Sequence, residues 1–294
     1  MSPESQVVVI GAGIAGLCAA GELVRAGRRV LVVEKSRGIG GRMATRRLGD
    51  AVCDHGAQFF TVRGRAFGGI VADASAAGAV ETWCTGFGLA GSLRGGVAPA
   101  SDGHPRWRGA RGMTDLPKFL LERLAADGHG EPCLVTTNAT VTAIGTRDDR
   151  VVVVVGAEGR TAAIEAAAAV VTAPVPQALE LLAAGGAAVD PEARVALATV
   201  AYEPCFALML VLDRPSLVPP PGAIRFAADA GGPLAWVADN MQKGISPVPA
   251  LTVHATPGFS RDHFGANPDE VTALLIDAAR PWIDGDPTTA IVER

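Results

Sequence analysis

The chain has 294 residues, 49% of them apolar and 19% charged, which is core material for one large domain or two moderate ones and too little charge for disorder. Its formal net charge of -4 excludes a general nucleic-acid binder, which needs a net basic surface to neutralise phosphates. No uninterrupted run of about 18 apolar residues occurs and the start MSPESQVVVIGAG lacks a basic leader, so neither a membrane partner nor a signal peptide is expected.

In chain order, Gln6–Ile10 reads as a buried strand ended by glycine, residues 14–26 as a helix closed by Gly27, and Arg29–Val33 as a second strand. Together they make a βαβ unit. Residues 54–62 are a mixed segment able to return to the sheet, and 67–78 read as a helix. The glycine-rich stretch 83–111 reads as strands and loops of a second domain. Asp115–Asp127 carries a helical apolar stripe. Residues 136–144 and 150–155 are adjacent strands joined by a turn at Asp148–Asp149. Residues 162–172 form a strand leading into the loop TAPVP, and 176–184 a helix. Residues 195–212 hold a bend and a long strand. The proline cluster 215–221 is a surface loop; 222–226, 234–238 and Ala250–Ala255 are further strands, and 268–283 a helix. The chain thus begins as an α/β nucleotide-type fold and becomes strand-rich, which implies two interleaved domains.

Gly11, Gly13 and Gly16 satisfy G-x-G-x-x-G between the first strand and the first helix. The first glycine permits the turn, the second lets backbone approach a pyrophosphate, and the third lets the helix pack close on the sheet. Glu34 ends the next strand, where a ribose-binding carboxylate is required, and its charge would repel a 2′-phosphate. RGIGGRMATRR, residues 37–47, follows at once. Gly38, Gly40 and Gly41 would let the chain pass close to a ligand and Arg42 would reach a phosphate; Arg46 and Arg47 are either part of that cradle or a solvated basic loop. The histidines His55, His104, His129, His254 and His263 form no metal-like cluster, so no metal is expected. His254 and His55 are either satisfied structural residues or functional ones. Five scattered cysteines without a CxxC pair fit free thiols in the reducing cytoplasm.

The fingerprint, Glu34 and GGRMATRR resemble flavoprotein amine oxidases, and most of all their renalase-like branch. DHGAQFFT at 54–61, Gly112–Met113, TAPVPQ at 172–177, WVADNMQK at 236–243 and VHATPGFS at 253–260 extend the resemblance in order along the chain. It implies FAD bound by an α/β two-domain fold of the p-hydroxybenzoate-hydroxylase type, a Rossmann-type FAD-binding domain interleaved with a β-rich substrate domain. Residues 1–66 and 107–175 would form the first, 67–106 and 176–287 the second, and 288–294 the start of a return to the FAD domain. By resemblance Gly11, Gly13, Ala15 and Gly16 hold the pyrophosphate and Glu34 binds the adenosine ribose, with Ala12, Ile14 and Lys35 as further cofactor contacts. Gly41 and Arg42 would contact the diphosphate or ribityl region. Gly56, Ala57, Gln58 and Phe59 would line the flavin, and Val141 would meet the adenine through its backbone.

The resemblance also implies a reaction, oxidation of dihydronicotinamide isomers of NAD(P)H to NAD(P), with electrons passed to O₂ to give hydrogen peroxide. Hydride transfer to flavin needs orientation more than an acid or base, so no catalytic residue is designated. Trp236 is either core or a stacking platform for the nicotinamide. Lys243 is either surface or a phosphate anchor, and Asn240 and His254 join them as candidates for the substrate face. An amine oxidase or desaturase-like enzyme is the alternative, which the low aromatic content of 5% disfavours. The family's C-terminal segment carries a further Gly-Asp flavin motif that does not follow TTAIVER. A chain without it is expected to bind FAD weakly or not at all, and a non-catalytic nucleotide-binding module is then a further alternative.

Overall fold

A computed structural model of the chain describes residues 6–92, 96–127, 133–228 and 230–293. Contacts divide it into two units, Met1–Arg42 with Pro117–Tyr202, and Met43–Leu116 with Glu203–Arg294. Residues 43–66 and 107–116 therefore group with the strand-rich unit, and 176–202 with the nucleotide-type one.

The first unit opens with strand β1 (Gln6–Ile10), helix α1 (Ile14–Arg25) and strand β2 (Arg29–Val33). The core face of α1 carries Leu17, Ala20 and Val24, and Gly27 at φ +71° lets the chain leave the helix in a conformation L side chains avoid. The chain leaves this unit through strands β3 (Thr45–Leu48) and β4 (Ala51–Asp54), helix α2 (Arg65–Ala76) and strands β5 (Val80–Ala90) and β6 (Val97–Gly109). Helix α3 (Asp115–Asp127) brings it back to β7 (Cys133–Thr136), β8 (Thr140–Arg147), β9 (Arg150–Ala157), β10 (Arg160–Ala166) and β11 (Ala168–Val171). Helices α4 (Val175–Ala184) and α5 (Pro191–Ala198) complete the unit. A parallel sheet runs β11-β1-β2-β7, and an antiparallel one β10-β9-β8. Val8, Ile10 and Val33 of the first share a core with Val141, Ile144, Val153 and Val155 of the second. Asp148 and Asp149, at φ +45° and +61°, make the β8–β9 turn. The single strand expected over 162–172 is two. The chain leaves β9 at Ala166 and joins β1 from Ala168, because Ala167 gives its N–H to the Gln6 carbonyl at 2.9 Å instead of continuing the antiparallel ladder.

The second unit adds β12 (Ala207–Leu212), β13 (Ala223–Phe226), β14 (Leu234–Asp239), β15 (Ala250–Ala255), helices α6 (Pro257–Asp262) and α7 (Pro268–Ala279), and β16 (Pro287–Glu293). Its seven-stranded sheet runs β16-β12-β15-β14-β13-β5-β6. Strand β12 reads ALMLVL without alternation because both its faces are covered. Leu208 and Leu210 join the core that contains Val271, Leu275 and Ala279 of α7; Met209 points the other way onto Ala51 and Cys53 of the β3–β4 hairpin. That hairpin occupies the arginine-rich stretch, with Arg46 and Arg47 in a strand. Residues 55–59 do not rejoin a sheet, and only Phe60 does so, by a single bridge to Trp107. Among the described residues no helix is long and apolar enough to cross a membrane, and no group of histidine, cysteine or carboxylate side chains is placed to hold a metal. His129 lies outside the described residues.

Candidate functional site

In the first unit the turn between β1 and α1 is built from glycines with different duties. Gly11 sits at φ +103°, gives its N–H to the Val33 carbonyl at 2.8 Å, and a Cβ there would come within 2.7 Å of Thr172 Oγ1. A Cβ on Gly16 would overlap the Gly11 carbonyl oxygen, so Gly16 exists for the packing of α1 on the turn. Gly13 differs. It has an ordinary φ of -75°, and the nearest atom to a Cβ would be Gly40 O at 4.0 Å. Nothing inside the protein demands glycine there; the open side does, if backbone is to approach a ligand. Gly13 is also the N-cap of α1 without any side-chain cap, and the first turn has no acidic residue. The helix N-terminus thus keeps its partial positive charge for an anion.

Glu34 is 6% exposed. Its Oε2 accepts the Ala12 N–H and its Oε1 the Ser36 N–H, both at 2.8 Å. The carboxylate therefore fixes the turn first, and the remaining lone pair on each oxygen is what a ribose hydroxyl would use. Ala12 is held inside this turn. Its side chain is fully buried, its N–H is spent on Glu34 and its carbonyl accepts Gly40 N–H, so it shapes the cradle without offering a donor to it. Gly40 pairs with Gly13, and Gly41 at φ +54° starts a short 3-10 turn that leaves Arg42 exposed. The Arg42 guanidinium lies 5.9 Å from the centre of the Tyr202 ring. Ile14 is half-buried, while Ala15 and Lys35 are exposed. The Val141 side chain belongs to the core, and a β-bulge follows it in β8.

The second unit contains Gly56, Ala57, Gln58 and Phe59 in the irregular stretch after β4. The stretch is pinned at its root by Asp54. Asp54 Oδ1 accepts Thr45 Oγ1 at 2.6 Å and Met113 N–H at 2.8 Å, and Oδ2 lies 2.7 Å from Lys243 Nζ. Gln58 donates through Nε2 to the Asp54 carbonyl and, at 3.2 Å, to that of Gly56; its Oε1 is buried without a partner among the described residues. His254 Nε2 donates to the His55 carbonyl at 2.9 Å, which fixes the tautomer because that oxygen only accepts. Burial pushes the His254 pKa below its ordinary value, so the ring is neutral.

Two substrate-face candidates lie inside. Lys243 is 1% exposed and its ammonium is spent on Asp54 in the interior, where it cannot serve as a phosphate anchor. Burial lowers its pKa against the opposing pull of Asp54. Asn240 is fully buried; its side chain donates to Thr252 Oγ1 at 3.0 Å, and its backbone carbonyl accepts the Ile245 and Ser246 N–H. Both residues build the turn after β14.

Trp236 joins a cluster that sequence reading missed. Its ring is 4.7 Å from Phe87 and 5.9 Å from Phe59, and Trp83 packs on Phe87 at 5.0 Å. Trp236 is 8% exposed, whereas Phe59 and Trp83 are half-buried. The overall aromatic content concealed this grouping; the even spacing of Trp83 and Phe87 on one face of β5 is the signal that would have found it. Cations cover the ring faces: Arg106 lies 5.7 Å from the Phe59 centroid and Lys243 Nζ 5.1 Å from that of Trp83. A cleft of about 960 Å³ in the same unit, lined by Phe259, His263, Leu274 and Arg280, includes none of these residues.

The family model described as an NAD(P)-binding Rossmann-like domain matches residues 9–71, and that of the flavin containing amine oxidoreductases matches residues 64–293. Protein anon-37Cs of Drosophila melanogaster is 44% identical over 62 residues, 21% of this chain and 12% of that protein. Its counterpart in Drosophila lebanonensis is 48% identical over 57 residues, 19% of this chain and 10% of that protein. The matches thus span about an eighth or less of those relatives. Solved structures share the fold. Wild-type putrescine oxidase bound to putrescine has a TM-score of 0.70 at 13% identity over 99% of this chain and 85% of that one. An oxidoreductase from Methanosarcina mazei has a TM-score of 0.69 at 14% identity over 98% and 88%. The chain belongs to the flavin containing amine oxidoreductase family, whose cofactor is FAD.

Proposed function

We propose that this member of the flavin containing amine oxidoreductase family is a renalase-like oxidase of dihydronicotinamide isomers, yielding NAD(P) and, with O₂, hydrogen peroxide. Gly13, the α1 N-terminus, Gly41 and Arg42 would hold the diphosphate of FAD, and Glu34 the adenosine ribose. Gly56, Ala57, Gln58 and Phe59 would meet the flavin, in the interleaved architecture of p-hydroxybenzoate-hydroxylase-like flavoproteins. FAD supplies the acceptance of a hydride and the return of the electrons to O₂. The chain's own residues orient the donor and keep water away.

The observation that carries this reading is the occupancy of the aromatic cluster by the protein's own charges. An ammonium substrate is held by ring faces and a free carboxylate. Here the Phe59 and Trp83 faces already carry Arg106 and Lys243. The neighbouring carboxylates are also spoken for, Asp54 by Lys243, Glu81 by Arg108 and Asp102 by Arg106. A planar, uncharged dihydropyridine ring bearing distant phosphates suits such a surface better than an amine. Its oxidation transfers a hydride and needs no base, in keeping with a neutral His254 and an engaged Lys243. The aromatic grouping itself favours the second reading, an amine oxidase. Free cysteines Cys18, Cys53, Cys84, Cys133 and Cys205 support a reducing, cytoplasmic setting. The test is an aerobic assay of the purified protein with dihydronicotinamide isomers, ordinary NADH and simple amines. Peroxide and NAD(P) formed in equal amounts from the isomers alone supports the proposal; peroxide from amines alone overturns it.

A further inference from the structure

We propose that Tyr202 is a positioning residue that holds Arg42 toward the diphosphate of the bound dinucleotide; this rests on the reading of residues 11–42 as a dinucleotide cradle. Arg42 follows two glycines at positive φ, Gly40 and Gly41, and Gly40 is tied to the α1 turn through Ala12 and Gly13. The backbone of Arg42 is thus fixed near the helix N-terminus while its side chain is exposed. Among the described residues no carboxylate pairs with it. A long, solvated guanidinium left alone would sample many rotamers, most of them away from a phosphate.

Among the described residues its one ring contact is with Tyr202, the only tyrosine in the chain. Tyr202 is itself 48% exposed, so the hydrophobic core does not explain its place. Its hydroxyl instead accepts the N–H of Val175, the first residue of α4, at 3.4 Å. Val175 stands three residues after Thr172, whose hydroxyl donates to the Ile10 carbonyl at 2.7 Å and lies against Gly11. Tyr202 is therefore tethered by its hydroxyl to the segment that backs the β1–α1 turn and by its face to Arg42. The ring takes the face of the guanidinium and leaves the N–H edge for an anion. No charge is added that would compete with the phosphates.

The single tyrosine makes the test specific. Protein grown with 3-fluorotyrosine carries one ¹⁹F reporter, at position 202. Titration of flavin-stripped protein with FAD or ADP is expected to shift that resonance, and adenosine, which lacks phosphates, to leave it in place; Arg42→Gln should abolish the shift. Tyr202→Leu should weaken ADP binding roughly two- to fivefold, the span of an exposed cation–π contact, without altering adenosine binding. Tyr202→Trp, which keeps a ring face, should restore it. Equal ADP affinity in wild type and Tyr202→Leu, or equal losses for ADP and adenosine, would overturn the positioning role. A wild-type protein that binds neither FAD nor ADP would sink the cradle reading itself, and the inference with it.

Discussion

Lys243 Nζ lies 2.7 Å from Asp54 Oδ2, and neither side chain reaches solvent. The pair joins the turn after β14 to the root of the segment containing Gly56–Phe59. Removing one partner leaves a buried charge uncompensated, at a cost of about 3–5 kcal/mol. Lys243→Met should therefore lower the unfolding free energy in urea by about that amount. The double variant with Asp54→Asn should lose less than the sum of the two singles, since it buries no lone charge. Additive losses would contradict the pairing.

Gly13 and Gly16 share a motif but differ in physical duty, and alanine separates them. Gly16→Ala meets the Gly11 carbonyl and should lower the melting temperature whether or not cofactor is present. Gly13→Ala meets no atom within the protein closer than 4.0 Å, so the flavin-free protein should melt as wild type does. Its FAD affinity should nevertheless fall by about 5- to 150-fold, the equivalent of a 1–3 kcal/mol steric clash. Calorimetry with and without FAD reads both effects.

The lowered pKa of His254 gives stability a definite pH dependence. Below its ordinary value of 6.5 the unfolded chain takes up a proton that the folded chain refuses, because the ring is desolvated. The contribution is complete above pH 6.5 and is lost as pH falls from there toward the folded pKa. His55, lowered by burial and by Arg46, acts in the same direction. His254→Gln keeps a donor for the His55 carbonyl and should flatten the slope of stability between pH 6.5 and 5, at most about 1.4 kcal/mol per pH unit for one group. Urea titrations across that range would show it.

Arg106 on the Phe59 face tests the substrate preference. Arg106→Ala removes the cation on the Phe59 ring and should raise KM for dihydronicotinamide isomers roughly two- to fivefold with little change in kcat, the scale of a single cation–π contact. An unchanged KM would remove Arg106 from substrate recognition.

The βαβ start was legible in sequence because its signals are local: an apolar run, glycines at fixed offsets and a carboxylate at the end of the next strand. The helices over Arg65–Ala76 and Asp115–Asp127 carried their own periodicity. What failed depends on contacts distant in sequence. Lys243 and Asp54 are 189 residues apart, and nothing local marks a lysine as interior. Arg46 and Arg47 stay open between a phosphate cradle and a solvated loop because the hairpin they enter is defined by Cys53 and Val52 across from them, not by their own propensity. Phe59, Trp83, Phe87 and Trp236 converge from three chain segments, which a composition figure dilutes to nothing. Ala167 breaks an apolar run that has no turn residue, because the change of partner strand is a tertiary event.

The most direct test of the account is anaerobic stopped-flow mixing of the purified, flavin-loaded protein with dihydronicotinamide isomers, ordinary NADH and simple amines. The account predicts rapid bleaching of the flavin absorbance by the isomers, slow bleaching by NADH and none by amines. Bleaching by amines with no response to the isomers would contradict it.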